Sequence, residues 1–323
     1  MIKFSLKVTF VYIFYIVSTV VRGNEFFVEG QRAWFHDPGF SSGYFHSYDA
    51  LSLDGVPPFK MHVFLPRDYE TSQDNVYPLL IALDGNTAFF RSGLSGSSLN
   101  LQDALARYDE AYPQSKLPIV AALVPNNRAK EYTHDTVLGQ DCCELDRFLS
   151  DLTHGIIPWL KRHYRIDRRA STLGITGSSH GGLAAFAAAM YFPEVFGYAI
   201  VQSPSFWVGF ESQGRFFDRW GSGKMAKTIL KRWSDLNIKG DRKPRLWIDW
   251  GLIHQGGFHN EFIERYVAKR SPEVLNWLRT ELSYQDQMDL YFMIDEQGEH
   301  SEASWSRRLW PAIEAVGPHN STN

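Results

Sequence analysis

The sequence predicts an α/β protein with a mostly parallel central sheet and helices on both faces. Two observations support this fold class: several short runs are apolar throughout, and these runs alternate with stretches of helical spacing. Continuous apolar runs are typical of strands buried on both faces. Their alternation with helices indicates right-handed crossovers between parallel strands. The predicted strands are 44–53, 60–65, 78–83, 118–124, 173–176, 198–201, 245–250 and 290–294.

Helical stretches fill most of the intervals between these strands. The longest, 143–164, carries apolar side chains at helical spacing. The other predicted helices are 101–111, an alanine-rich run after residue 179, 260–282 and 305–316. Segment 26–43 is rich in aromatic, glycine and polar residues without a clear period, so we expect it to lie irregularly over the surface.

Length and composition favour one large domain. The chain has 323 residues, 44% of them hydrophobic, and a formal net charge of -3. Because α/β domains of about 200–250 residues are common, we predict a single domain over residues 24–323. The near-neutral charge leaves no basic stripe, so nucleic acid is excluded as an expected partner. An aromatic-rich insertion, 206–244, precedes the penultimate strand and is either a lid over the site or an extra packed helix.

The N-terminus reads as a targeting segment. Lys3 and Lys7 precede an apolar run, 8–21, and Gly23 suits a cleavage site. The sequence therefore predicts a signal peptide over 1–23, a secreted or periplasmic protein, and no stable membrane insertion after cleavage. The run is shorter than the roughly 20 residues of a membrane span, and an uncleaved anchor is the alternative.

The two cysteines, Cys142 and Cys143, are adjacent in the chain. A disulfide between neighbours closes a loop of minimal size and is a poor structural cross-link. We therefore expect two small unlinked residues in the core or on the surface.

The apolar run 173–176 leads into a Gly-x-Ser-x-Gly pentapeptide, Gly177 to Gly181, followed at once by the alanine-rich helix. Strand, tight turn and helix in this order are the context of a nucleophile elbow, in which the serine lies at the tip of a strained turn. Ser179 is therefore the candidate nucleophile.

A serine hydroxyl becomes a good nucleophile only when a base takes its proton. In proteins with a nucleophile elbow of this kind, that base is a histidine that follows the serine in the chain. His300 comes after the last predicted strand and a short loop, and it precedes the final helix. We predict that His300 is the general base. His254, His259 and Glu261 match no metal-ligand spacing, so no metal site is expected.

Five further motifs accompany the pentapeptide at Ser179: Asp84-Gly85-Asn86, the segment 127–133, Ser203-Pro204-Ser205-Phe206-Trp207, Asp249-Trp250-Gly251 and the segment 298–305. Together these pieces, which cover roughly 44–315, resemble the esterase D-like family of α/β-hydrolases, in particular its enterochelin-esterase-like branch. The resemblance implies a serine carboxylic-ester hydrolase with a small-molecule ester substrate and no metal or organic cofactor. It places the nucleophile at Ser179 and the base at His300.

The acid of the triad departs from the pattern of this family. Many members carry a carboxylate three residues after the glycine that is Gly251 here, and that position is His254. A related branch takes its acid from a stretch that resembles 260–264, so Glu264 is the first choice. Asp249, in a strand, is second, and a Ser-His dyad is third. A solvated helix residue is the alternative for Glu264.

The remaining site residues follow from the fold that the resemblance implies. The oxyanion donors are predicted to be the backbone N–H groups of Asn86 and His180. Arg128 is predicted to contact an anionic or catechol-like substrate, with a surface ion pair to Glu131 as the alternative. Trp207 is a further candidate for substrate binding. Acyl transfer to an alcohol or sugar, and a non-catalytic secreted binding protein, are the alternatives to ester hydrolysis.

Overall fold

A computed structural model describes residues 24–92, 96–139, 142–210 and 217–321. The predicted signal peptide and residues 211–216 of the predicted insertion lie outside the described residues. Among the helices of the described residues, none is both long and apolar enough to cross a membrane.

The described residues form a sheet of ten strands. The strands are β1 (Glu25–Val28), β2 (Gln31–His36), β3 (Gly43–Leu53), β4 (Val56–Pro66), β5 (Leu79–Ala82), β6 (Ile119–Val124), β7 (Leu173–Ser178), β8 (Tyr198–Gln202), β9 (Arg245–Gly251) and β10 (Leu290–Asp295). Their order in the sheet is β1-β2-β3-β4-β6-β5-β7-β8-β9-β10. Strands β5 to β10 are parallel to one another, and β1 to β4 form an antiparallel edge in which β4 pairs with β6. The predicted α/β fold with a mostly parallel sheet is confirmed.

Helices connect the parallel strands and cover both faces of the sheet. They are α1 (Gly85–Ala88), α2 (Leu101–Ala111), α3 (Arg128–Glu131), α4 (Leu145–Ser150), α5 (Ile157–His163), α6 (His180–Tyr191), α7 (Lys224–Leu236), α8 (Arg265–Leu282) and α9 (Glu302–Val316). Two π-helical turns, Asp151–Ile156 and His259–Glu264, lead into α5 and α8. Short 3-10 turns lie at Ala170–Thr172, Trp220–Ser222, Gly240–Arg242 and Pro318–Ser321.

Two hydrophobic cores lie on opposite faces of the sheet. One contains the buried side chains of α2 and α9. The other contains those of α4 to α8, with α6 buried along almost its whole length. Small alanine side chains let α6 lie close to β7 and β8, and this close packing fixes the start of α6 beside the end of β7.

The N-terminal segment differs from the sequence-based expectation. Part of 26–43, expected to be irregular, forms the antiparallel hairpin β1–β2 at the sheet edge. Its two-residue turn has positive φ at Glu29 (45°) and Gly30 (77°), the geometry that joins tightly paired strands. Glutamate is an unusual residue at the first of these positions, which explains why the turn was not recognised.

Two further expectations need correction. Cys142 and Cys143, expected to be unlinked, are joined in a disulfide. The predicted single helix over 143–164 begins at Leu145 and is interrupted by the π-helical turn between α4 and α5.

The described part of the predicted insertion contains α7. This helix packs beside α6, and the buried side chains of Trp220 and Trp233 belong to the core on that face. Residues 206–210 continue directly from the end of β8 and are largely buried. The lid role proposed for 206–244 stays a prediction.

Candidate active site

The carboxyl ends of β5 to β10 lie side by side, and the loops that follow β5, β6, β7, β9 and β10 line one cavity. In open α/β sheets, this edge is where ligands bind. The cavity has a volume of about 830 Å³. Ser179, His180, Asn86, Arg128 and His300 contribute to its wall.

Ser179 occupies a sharp turn between β7 and α6. Its backbone has φ 58° and ψ -119°, a conformation that costs a non-glycine residue about 1–3 kcal/mol. Gly177 makes the turn possible, because a Cβ there would collide with the backbone of Gly181. The carbonyl of Ser179 accepts the N–H of Leu183 at 3.0 Å, which ties the strained residue to the helix.

The loop after β10 brings His300 to this turn. His300 Nε2 lies 2.8 Å from Ser179 Oγ, and both residues are buried. The N–H of His300 donates to Asn260 Oδ1 at 2.9 Å. The Trp305 ring meets the His300 ring edge-on, with centroids 5.0 Å apart. The imidazole is therefore held on two sides while one nitrogen faces the serine.

Glu264 lies behind His300, at the end of the π-helical turn His259–Glu264. Its Oε2 is 2.5 Å from His300 Nδ1, and its side chain has no exposed surface. Its Oε1 accepts hydrogen bonds from the Ser203 hydroxyl at 3.0 Å and from the Gly251 N–H. A buried carboxylate needs several partners, and Glu264 has them. The solvated-helix alternative for Glu264 is therefore wrong.

The hydrogen bonds of Glu264 also determine its ionisation. Burial raises the pKa of Glu264, but the hydrogen bond and charge of His300, the Gly251 N–H and the charge of Arg308 together outweigh it. The pKa of Glu264 consequently lies below its ordinary value, and the side chain is an anion at neutral pH. An anion at Nδ1 leaves the proton there, so Nε2 is the accepting nitrogen.

Asp249, the second candidate for the acid, pairs with Arg308. Its Oδ1 accepts from Arg308 Nε at 2.9 Å, and its Oδ2 accepts from Trp247 Nε1 at 2.8 Å. Burial raises the pKa of Asp249 against the opposing effect of Arg308. Arg308 also donates to Ser203 Oγ at 2.8 Å, so Asp249 and Arg308 form a buried support behind Glu264.

Arg128 joins two of the loops at the cavity. Its Nε and Nη2 donate to Asp84 Oδ1 and Oδ2 at 2.6 and 2.8 Å, and Nη2 also donates to the Ser178 carbonyl at 3.0 Å. Asp84 has φ 55° and immediately precedes α1. The alternative pairing with Glu131 is wrong, because the Glu131 carboxylate accepts the N–H groups of Asn126 and Asn127 instead.

Asn86 and His180 both line the cavity, on the loops that Arg128 joins. His180 is the first residue of α6, so its N–H has no acceptor within that helix. Asn86 lies in the first turn of α1, where the same argument holds for its N–H. The structure thus brings both predicted oxyanion donors to the cavity that contains Ser179.

Trp207 requires a correction. It is 1% exposed and is not among the described residues that line the cavity. Its ring packs 6.0 Å from the His180 ring and 5.8 Å from the Phe262 ring. The side chain therefore supports His180 from behind and does not reach a substrate.

Three polar residues at the site were missed as functional candidates. Asn260 holds the His300 backbone, Ser203 donates to Glu264, and Ser205 lies beside Ser179. Two signals could have found them. Asn260 and Glu264 are four residues apart on a predicted helix, and both serines directly follow a strand next to the nucleophile strand.

The described residues include no group of three or more histidine, cysteine or acidic side chains placed to hold a metal ion. The arrangement of Ser179, His300 and Glu264 has the hydrogen-bonding order of a serine-hydrolase triad.

Comparisons with known proteins identify the family of the chain. A sequence model of the family described as "Putative esterase" matches residues 57–314. An uncharacterised protein of Bacillus subtilis (strain 168), YbbA, is 26% identical over 269 residues, which cover 80% of this chain and 93% of YbbA.

Two solved structures share the fold at low sequence identity. A ferulic acid esterase superposes with a TM-score of 0.55 at 16% identity, covering 80% of this chain and 92% of its own. The enterobactin hydrolase IroE, in complex with DFP, gives a TM-score of 0.53 at 18% identity, covering 85% and 96%. The resemblance noted in the sequence is confirmed. Because the family model spans most of the chain, the chain belongs to this esterase family and is a serine esterase with the α/β-hydrolase fold.

Proposed function

We propose that the protein hydrolyses carboxylic esters through an acyl-enzyme on Ser179. The observation that carries this proposal is the continuous hydrogen bonding from Ser179 Oγ through the His300 ring to Glu264. His300 takes the proton of Ser179 as Oγ attacks the carbonyl carbon, and gives it to the departing alcohol. His300 then takes a proton from water, which attacks the acyl carbon, and returns it to Oγ as the bond to the acyl group breaks.

Glu264 orients His300 in this scheme. Its negative charge stabilises the imidazolium that forms when His300 holds the serine proton. The Ser203 hydroxyl and the Gly251 N–H, which both donate to Glu264 Oε1, keep the carboxylate in place. A carboxylate held by several donors needs little rearrangement during the reaction, which is how preorganised sites lower a barrier.

The negative charge on the substrate oxygen is placed against the N–H groups of Asn86 and His180. Arg128 acts in this proposal as a clamp, because it links Asp84, two residues before Asn86, to Ser178, two residues before His180. Losing one oxyanion donor typically costs about 3–4 kcal/mol of barrier lowering, so the relative placement of the two loops matters. Arg128 also lines the cavity, so its predicted contact with an anionic or catechol-like substrate stays a prediction beside this clamp role.

A direct assay can identify which small-molecule ester the protein hydrolyses best. A cavity of about 830 Å³ accommodates more than a short acyl chain. The similar folds include a ferulic acid esterase and an enterobactin hydrolase. A panel of short-acyl, feruloyl and catecholate macrolactone esters therefore ranks the substrates by kcat/KM.

Substitution of the nucleophile tests the proposal. Ser179→Ala removes the attacking oxygen and should abolish both ester hydrolysis and labelling by a fluorophosphonate probe. Ser271→Ala is the matched control, because Ser271 is a fully buried serine on α8 that does not line the cavity. Hydrolysis by Ser179→Ala at the wild-type rate would contradict the proposal.

Acyl transfer would use the same acyl-enzyme, with an alcohol or sugar in place of water. Product analysis with and without an added acceptor alcohol separates the two reactions. A transferred ester as the main product at low acceptor concentration would assign the protein to acyl transfer. Binding of esters without turnover would instead support the binding-protein alternative.

Residues 1–23 are proposed to direct export and to be removed. The charged start and the short apolar run support this proposal. N-terminal sequencing of the protein recovered outside the cytoplasm tests it. A mature chain that begins near Asn24 is the expected result, and an intact leader in the membrane fraction would favour an anchor.

A further inference from the structure

Ser205 lies directly beside the nucleophile. Its side chain is fully buried, and its Oγ is 3.4 Å from Ser179 Oγ and 2.8 Å from His180 Nδ1. The N–H of Ser205 donates to the Ser179 carbonyl at 3.0 Å. Ser205 is therefore bound to the elbow through its backbone as well as its side chain, which fixes where its hydroxyl lies.

The direction of each hydrogen bond follows from the count of protons. Glu264 is an anion and only accepts, so His300 Nδ1 carries the proton and Nε2 accepts from Ser179. A hydroxyl has one proton, and that of Ser179 is committed to His300. A hydrogen bond between the two serines, whose oxygens are 3.4 Å apart, is then one that Ser205 donates.

The same count extends to His180. With its proton directed at Ser179, Ser205 Oγ can only accept in its 2.8 Å contact with His180, so this arrangement places a proton on His180 Nδ1. Burial, reinforced by the positive charge of Arg128 and by the neighbouring His300, lowers the pKa of His180 to about 3. His180 is consequently neutral at the pH of catalysis and holds one ring proton, on Nδ1.

We propose that Ser205 is a further catalytic residue, which donates a hydrogen bond to Ser179 Oγ while His180 Nδ1–H holds the Ser205 hydroxyl in the donating orientation. This inference rests on the proposed acyl-enzyme function. The four side chains form one directed series, from His180 through Ser205 and Ser179 to His300. In this series, Ser205 is a catalytic residue because it touches a reacting atom, and His180 is a positioning residue.

The hydrogen bond matters when Oγ becomes more negative. In acylation, the Ser179 proton moves to His300 Nε2 as Oγ bonds to the carbonyl carbon. In deacylation, the bond from the carbonyl carbon to Oγ breaks, and Oγ recovers a proton from His300. A donor already aimed at Oγ stabilises its charge in both steps and transfers no proton itself.

Rapid kinetics with a chromogenic ester tests the role of Ser205. Ser205→Ala should lower the acylation and deacylation rate constants by about tenfold each, less than the loss of an oxyanion donor because the contact is long. His180→Leu should lower the same two constants, and the double variant should lose no more than the larger single loss, since both act in one series. Ser271→Ala should match wild type. If the losses in the two single variants multiply in the double variant, the proposed coupling between Ser205 and His180 is overturned.

The tautomer of His180 gives a second readout that a purely structural role would not move. Nitrogen-15 NMR of ring-labelled protein should show His180 with the proton on Nδ1 in wild type. In Ser205→Ala, the Nδ1 proton loses its acceptor, so the tautomer signals should shift or mix while the melting temperature changes little. A proton on Nε2 in wild type would overturn the inference.

The failure of this inference is distinct from failure of the proposed function. If Ser179→Ala abolishes turnover but Ser205→Ala acylates and deacylates at wild-type rates, only the role of Ser205 is wrong. If Ser179→Ala retains full turnover, the acyl-enzyme proposal itself is wrong.

Discussion

Nδ1 of His300 lies 2.5 Å from Oε2 of Glu264, and neither side chain has more than 4% of its surface exposed. In such a dry environment, a carboxylate stabilises a neighbouring imidazolium far more than it would in water. The contact also fixes which nitrogen of His300 faces Ser179. Glu264 is therefore the acid that the structure supplies to this histidine.

Substitution of each candidate acid in turn should distinguish a loss of catalytic rate from a loss of stability. Glu264→Gln removes the charge beside His300 and should lower kcat by about 10²–10⁴-fold. Asp249→Asn should act mainly on the free energy of unfolding, with a loss of about 3–5 kcal/mol, because it removes the closer and fully buried one of the two carboxylates that pair with buried Arg308. Esterase kinetics and urea unfolding of both variants check this. A larger loss of kcat in Asp249→Asn than in Glu264→Gln would show that Asp249 is the acid of the triad.

Arg128→Met should lower kcat about tenfold or more with a smaller change in KM. The substitution frees Asp84 from the Ser178 loop and lets the two oxyanion loops drift, which weakens a contact made only in the transition state. Arg147→Met is the control, because Arg147 forms exposed ion pairs on α4. Steady-state kinetics on a neutral ester measures the effect. A rise in KM alone would instead support direct substrate binding by Arg128.

Lowering the pH should destabilise the fold, and the loss should begin well above the pH range in which carboxylates titrate. Burial lowers the pKa of His46, His62 and His134 to about 4, and that of His180 to about 3. These groups are neutral in the folded protein, whereas the unfolded chain protonates them below about pH 6.5. Their stabilisation is complete above that pH and is lost as the pH falls towards about 4, by up to about 1.4 kcal/mol per pH unit for each histidine.

Urea unfolding at about pH 7, 6 and 5 measures this dependence, whose slope reports proton uptake on unfolding. His46→Phe, placed among aromatic neighbours, should reduce the slope by about one proton. A stability that stays constant across this range in the wild-type protein would contradict the prediction.

Gly177→Ala should prevent the elbow from forming. The added Cβ would meet the Gly181 backbone, which cannot move without displacing the start of α6. We expect a loss of several kcal/mol in the free energy of unfolding, above about 3 kcal/mol, and loss of activity. Gly155→Ala is the control, because its Cβ would meet only a methyl group of Val56. A stable, active Gly177→Ala would show that the turn tolerates a side chain.

Much of the fold could be predicted because the buried strands and the helices leave strong periodic signals. The strands from β3 to β10 and the elbow followed directly from apolar runs and turn residues. The β1–β2 hairpin was missed because an exposed edge pair needs no continuous apolar run, and its Glu29-Gly30 turn lacks the usual asparagine or aspartate.

The site was harder to predict where it depends on packing between distant elements. Glu264 could not be separated from a solvated residue, because its burial comes from β8 and β9 packing over the π-helical turn. Trp207 was a candidate for substrate binding because it begins the aromatic-rich insertion after β8, yet the chain turns it into the core. Spacing along a loop does not encode which side of the loop faces the cavity.

Intact-protein mass spectrometry after rapid mixing with a slowly hydrolysed ester tests the acyl-enzyme most directly. An acyl-enzyme on Ser179 predicts a transient mass increase equal to one acyl group, located on Ser179 by peptide mapping and lost as product accumulates. Ester turnover without an acyl adduct on Ser179, or an adduct on another residue that forms and decays at the rate of turnover, would contradict it.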